Sequence, residues 1–160
     1  DSVFVEDAAV VVDEVAVIAR PGAESRRAEV PSVAAALARY RTLAAIEAPG
    51  TLDGGDVLRI GRRIFVGLSA RTNAAGVAQL AAHLAPFGYR VEGLGLTGCL
   101  HLKSAVTAID AATIVCNPAW VDARQFGARR AIEVAPGEPM AATTAVSTID
   151  ACCARLSSFP

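Results

Sequence analysis

The sequence predicts an α+β fold assembled from a repeated strand-strand-helix-strand unit, and three observations point to it. Short β-branched and apolar runs alternate with Ala- and Leu-rich helical stretches, and Gly, Pro and Asp punctuate both. The same order then recurs with a period of about 50 residues, the mark of stacked or radial units that need neighbours to bury their apolar faces.

The first pass opens with a strand-like run over Val3–Val12, a turn at Asp13-Glu14 and a second strand over Val15–Arg20. A helix is expected from about Pro31 to Tyr40 and a strand from Leu43 to Ala48. The second pass reads Asp56–Ile60, a turn at Gly61-Arg62, Arg63–Gly67, a helix from about Asn73 to Leu84 and a strand over Tyr89–Glu92. Pro86 and Gly88 close that helix. The third reads Leu102–Ile109, a turn at Asp110-Ala111, Thr113–Cys116, a short helical stretch near Val121–Phe126, and Ala131–Ala135 before Pro136-Gly137. A fourth unit opens near Met140 and fails, so residues 1–142 read as a partial domain and 143–160 as a divergent, poorly ordered tail. Three units and a stub leave an open side, across which the chain could pair as a homodimer.

A chain of 160 residues that is 53% hydrophobic can bury a sizeable core. Its net charge of −1 and pI near 6.1 supply no broad basic face for nucleic acid or an anionic membrane, which leaves a small molecule as the expected partner. No apolar run approaches the ~20 residues of a membrane helix. The chain does not begin with Met and starts inside a strand pattern, so it reads as a segment of a longer protein. Cys99, Cys116, Cys152 and Cys153 lack metal-ligand spacing, which argues for a reducing, cytoplasmic setting and for no metal or cofactor.

Several polar residues fall at the expected strand ends. Glu6-Asp7 follows Val3-Phe4-Val5, and Arg26 and Arg71 recur at equivalent strand-to-helix positions. Asp53 stands in the glycine-rich stretch Pro49–Asp56, whose tight backbone could present it to a cavity; a simple Asp turn is the competing interpretation. His101, flanked by Leu100 and Leu102, heads a repeat unit in register with Asp53, whereas His83 sits in an Ala/Leu-rich helix and reads as structural. Carboxylates can grip a flat guanidinium by paired hydrogen bonds, arginines can hold an α-carboxylate, and an imidazole can move protons near neutral pH. Together these residue types suit an arginine-like ligand.

Five motifs in order carry a resemblance: Asp1-Ser2-Val3-Phe4-Val5-Glu6-Asp7, Pro21-Gly22 with Ser25-Arg26-Arg27, Pro49-Gly50-Thr51-Leu52-Asp53-Gly54-Gly55-Asp56, Gly67-Leu68-Ser69 with Arg71-Thr72-Asn73, and Leu100-His101-Leu102-Lys103-Ser104. From Asp1 to about Ala142 the chain resembles the dimethylarginine dimethylaminohydrolase family, of the guanidino-group-modifying superfamily that also holds the arginine deiminases. Lys103 favours the methylarginine branch, since deiminases typically carry Asp after the histidine.

The resemblance implies a pentein-type α/β propeller of five strand-strand-helix-strand modules, here incomplete at about three modules and a stub. It implies substrate contacts from Asp1, Glu6 and Asp7 with Arg26 and Arg71 nearby, His101 as general acid and base, and Asp53 orienting it. It further implies hydrolysis of Nω-methylated arginine to citrulline and dimethylamine through a cysteine adduct, without cofactor. The family's nucleophile lies near its C-terminus in an Asp-Gly context; Cys152 and Cys153 follow Asp150 but lack the glycine and the spacing, as a shifted frame or truncated gene would leave them. Cys99 and Cys116 read as small core residues. A ligand-binding remnant without catalysis and a sibling deiminase or citrulline hydrolase are the alternatives.

Overall fold

The computed structural model describes residues 4–128 and 130–134. Asp1, the expected stub near Met140, the tail from Thr143, Cys152 and Cys153 lie outside the described residues. The chain divides into two compact units, Asp1–Gly95 and Leu96–Pro160.

The first unit holds two modules. Strands β1 (Ala9–Val11) and β2 (Val15–Ile18) pair antiparallel, with Ala9 opposite Ile18 and Val11 opposite Ala16. Helix α1 (Val30–Leu37) carries the crossover to β3 (Thr42–Ala45), which lies parallel to β2. A parallel return cannot be made by a tight turn; it needs a crossover segment, which here is helical. The second module repeats this with β4 (Val57–Ile60), β5 (Arg63–Leu68), helix α2 (Ala74–Leu84) and β6 (Arg90–Gly95). All four residues of β2 are buried, which explains a run of Val, Ala and Ile with no polar alternation. The core joins Val10, Val15, Val17, Ile64, Val66, Leu80, Leu84 and Tyr89 from both modules.

Helix α2 begins where the Asn73 side chain accepts a hydrogen bond from the Gly76 N–H at 2.9 Å, and the chain leaves it through Gly88 in the left-handed region at φ 77. Helix α1 stops at Leu37, short of the expected Tyr40. Beyond Leu37 no apolar side chain is anchored, and Tyr40 stands 73% exposed.

The second unit contains one module of the same topology. Helix α3 (Leu102–Ala105) leads into β7 (Val106–Ala108), antiparallel to β8 (Thr113–Cys116), which is parallel to β9 (Arg130–Glu133). Asp122 caps a 3-10 turn at Ala123–Phe126, within the short helical stretch expected near Val121–Phe126. Leu102, Val106, Ile114, Cys116 and Phe126 are buried.

Every module opens on a helical turn that the strand pattern had hidden. The expected strand over Val3–Val12 is a 3-10 turn at Val5–Ala8 followed by β1, and the expected strand over Leu102–Ile109 is α3 followed by β7. A third such turn, Gly54–Asp56, precedes β4. Glu6 and Asp7 therefore precede a strand rather than end one, and His101 is an extended residue before a helical turn, not part of a strand. Runs of three or four residues are too short to develop a helical period, so apolar alternation dominates the pattern. Among the described residues, no helix is long and apolar enough to cross a membrane.

Candidate active site

The pairing pattern decides where the polar loops go. Because β1 runs antiparallel to β2, the segment entering β1 lies beside the one leaving β2; the same holds for β4 and β5. The loops carrying Asp7, Arg26, Asp53 and Arg71 thus all leave the strand ends opposite the hairpin turns, and in the first unit they knit together.

Asp7 is buried and accepts on both oxygens, from the Gly55 N–H at 2.7 Å and from the Arg26 guanidinium. Arg26 continues to the Phe4 carbonyl and to the Glu29 carboxylate, each at 2.9 Å. Hydrogen bonding to Glu29, and then pairing with Asp7, keeps Arg26 protonated well above its ordinary range, although burial opposes this. Glu29 is held below the usual carboxylate range by the same guanidinium. A charge taken out of water needs such partners, and Arg26 is shared between two carboxylates.

Asp53 is 1% exposed and accepts from the Gly22 N–H at 2.9 Å, while its own N–H donates to Thr72 Oγ1 at 3.0 Å. The glycines permit these approaches: a Cβ on Gly54 would collide with the Glu6 carbonyl oxygen, and one on Gly22 with the Arg71 backbone. Glu6 itself is exposed. Arg71 is half-buried, and among the described residues its guanidinium makes no hydrogen bond or ion pair; its N–H donates to Ser69 Oγ at 3.0 Å.

In the second unit His101 has extended backbone (φ −134, ψ 151) and its carbonyl accepts from the Ser104 N–H at 3.1 Å, opening α3. Asp53 stands at the corresponding place in its module, extended before the 3-10 turn at Gly54–Asp56. The register equivalence of His101 and Asp53 is therefore a backbone fact as well as a sequence pattern. Burial pushes the Cys116 thiol up, and nearby Glu133 adds to this, so its thiolate is disfavoured. Cys99 is half-buried, which corrects its reading as a core residue; Cys116 is one.

Four residues that shape this end of the fold went unassigned from sequence: Glu29, Asp56, Ser69 and Thr72. For Ser69 and Thr72 a signal existed, a Ser-x-x-Thr spacing in a strand-to-helix loop where side-chain oxygens commonly cap backbone N–H groups. For Glu29 the signal was its i,i+3 spacing from Arg26, which puts the two side chains side by side on a helical turn.

Three strand-strand-helix-strand modules, two of them with buried carboxylates on the loops that also carry arginines, define a pentein-type α+β protein. The sequence profile of the arginine deiminase family matches residues 3–148, and the chain belongs to that family. It is 57% identical over 116 residues to the N(G),N(G)-dimethylarginine dimethylaminohydrolase of Streptomyces coelicolor, covering 72% of this chain and 45% of the relative. The enzyme of the same description from Pseudomonas aeruginosa is 36% identical over 144 residues, 89% of this chain and 57% of the relative.

Among solved structures, a cysteine-to-serine mutant of the Pseudomonas aeruginosa protein complexed with citrulline superposes with a TM-score of 0.80 at 33% identity, over 86% of this chain and 55% of that one. A histidine-to-glycine variant of a dimethylarginine dimethylaminohydrolase, as its adduct with S-methyl-L-thiocitrulline, gives 0.82 at 35% identity, over 88% and 56%. The chain spans about half the length of the curated relatives it matches.

Proposed function

We propose that the whole protein hydrolyses Nω-methylated arginine to citrulline and dimethylamine. The observation that supports this most is the loop cluster of the first unit, where Asp7 and Asp53 are buried carboxylates beside arginine-bearing loops, in a chain 57% identical to a dimethylarginine dimethylaminohydrolase. Carboxylates at such a place favour a guanidinium, and Arg71 is suited to an α-carboxylate at the far end of the same ligand. Asp1 and Glu6 join them as substrate contacts on the strength of the resemblance. Arg26 serves by holding Asp7 in place.

In the reaction a cysteine thiolate adds to the guanidinium carbon, and the C–N bond to dimethylamine breaks as His101 donates a proton to the departing nitrogen. Water, deprotonated by the same imidazole, adds to the resulting thiouronium carbon, and collapse returns the thiolate and citrulline. Asp53 serves as the carboxylate that assists the imidazole. The nucleophile belongs to the C-terminal module of the family; buried Cys116 is chemically unsuited.

The experiment joins this chain to the C-terminal cysteine module of the Streptomyces coelicolor relative and compares His101 with His101→Ala. Turnover of dimethylarginine should fall on the order of 10²-fold or more. Near-normal turnover would remove His101 from the mechanism. Release of citrulline from arginine but not from dimethylarginine would favour the sibling deiminase, the description under which the family profile matches.

A further inference from the structure

We propose that Asp56 is a positioning residue: through two hydroxyl groups it sets the backbone at both Asp53 and Arg71. The proposal rests on the reading above only in treating those two as ligand-facing residues.

Asp56 is fully buried at the end of the Gly54–Asp56 turn. Its Oδ2 accepts from Ser69 Oγ at 2.7 Å and from Thr72 Oγ1 at 2.6 Å, both from the loop that leaves β5. An ionised carboxylate offers acceptors alone, so each hydroxyl must direct its single proton to Asp56 and keeps only lone pairs for its other neighbours. Those neighbours are backbone N–H groups. Thr72 Oγ1 accepts from the Asp53 N–H at 3.0 Å, and Ser69 Oγ accepts from the N–H groups of Arg71 at 3.0 Å and Thr72 at 3.2 Å.

One carboxylate thus fixes the sense of every hydrogen bond in the relay, and with it the place of two loops separated by an entire hairpin. Charge-assisted O–H···O bonds are short and strong, and buried chains of them reinforce one another. A hydroxyl without the carboxylate could rotate and point its proton elsewhere, leaving the N–H groups of Asp53 and Arg71 with a poorer acceptor. Asp56 reaches both candidate residues without touching what they would hold.

The test is amide hydrogen exchange, residue by residue, on the 160-residue chain. In Thr72→Val, close in shape but without the hydroxyl, the Asp53 N–H should exchange about tenfold faster, the equivalent of one lost hydrogen bond, while Thr72→Ser keeps the native rate. Ser69→Ala should release the Arg71 N–H by a similar factor and leave Asp53 protected. Asp56→Ala, which removes the acceptor, should release both, with the Ile64 and Val66 amides of β5 unchanged.

Native protection at Asp53 and Arg71 in Asp56→Ala would overturn the proposal, as would acceleration spread evenly over β4 and β5, or unprotected amides at both positions in the unsubstituted chain. Should Asp56→Ala fail to fold, the two single-hydroxyl variants decide the matter by the same criteria. Failure here leaves Asp53 and Arg71 standing as ligand residues. A relay that responds as expected, beside Asp53→Asn and Arg71→Ala variants with undiminished citrulline release in the joined enzyme, would instead remove that reading.

Discussion

At the scale of single residues, the division of labour between the two candidate arginines is set by their partners. Arg26 holds Asp7, Glu29 and the Phe4 carbonyl at once, so its side chain is committed to the fold. Arg26→Ala leaves Asp7 a buried carboxylate without its cation and should cost about 3–5 kcal/mol in urea or thermal unfolding. Arg27 pairs with Glu24, a residue whose side chain is 86% exposed, and Arg27→Ala should cost less than about 1 kcal/mol. Equal losses in the two variants would contradict the assignment. The sequence placed Arg26 and Arg71 at equivalent strand-to-helix positions and could not separate them, because the partner that distinguishes Arg26 is set by folding: Asp7 lies 19 residues away in the chain.

At the scale of elements, contacts between modules one and two decide outcomes that local propensity would misjudge. Gly76 lies in the first turn of α2, where alanine would ordinarily add up to about 1 kcal/mol of helix stability. Here its Cβ would strike the Thr51 carbonyl oxygen, on the loop that carries Asp53. Gly76→Ala should therefore destabilise, by about 1–3 kcal/mol for a forced backbone shift, and a rise in the unfolding midpoint would refute the packing described.

At the hairpin end of the same modules, Glu14 accepts from Arg62 at 2.8 Å and from the Tyr89 hydroxyl at 3.0 Å, with Arg62 stacked 4.6 Å from the Tyr89 ring. The Arg62 hydrogen bond holds Glu14 below the usual carboxylate range, so its stabilisation is present above the unfolded-state pKa of about 4.3 and is lost as pH falls through the lower folded value. Burial, then the bond to Glu14, pushes the Tyr89 phenol up; that contribution holds below about pH 10 and fades as pH rises through the raised folded value. The contribution of this cluster should be flat between these limits. Glu14→Gln should lower the unfolding midpoint on the plateau and converge with the unsubstituted chain in acid; a constant offset at every pH would contradict the ion-pair account.

Across the molecule, most of the architecture was legible in the sequence. The hairpin turn at Gly61-Arg62, the start of the second helix near Asn73 and the Val/Ile runs of β2 and β5 are local signals, and each appears within a residue or two of its expected place. What escaped were the helical turns heading each module and the place of Asp56 in the relay, whose bonds to Ser69 and Thr72 cross 13 and 16 residues; only the Ser-x-x-Thr end of that relay is local. We propose that such modules, in the whole protein, hold a methylated arginine for hydrolysis. The most direct measurement is release of citrulline and dimethylamine from dimethylarginine by this chain joined to the family's C-terminal cysteine module, with unmethylated arginine supplied in parallel. Equal amounts of both products are expected from dimethylarginine; a folded, joined protein that releases neither, or that acts on arginine alone, would refute the proposed hydrolysis.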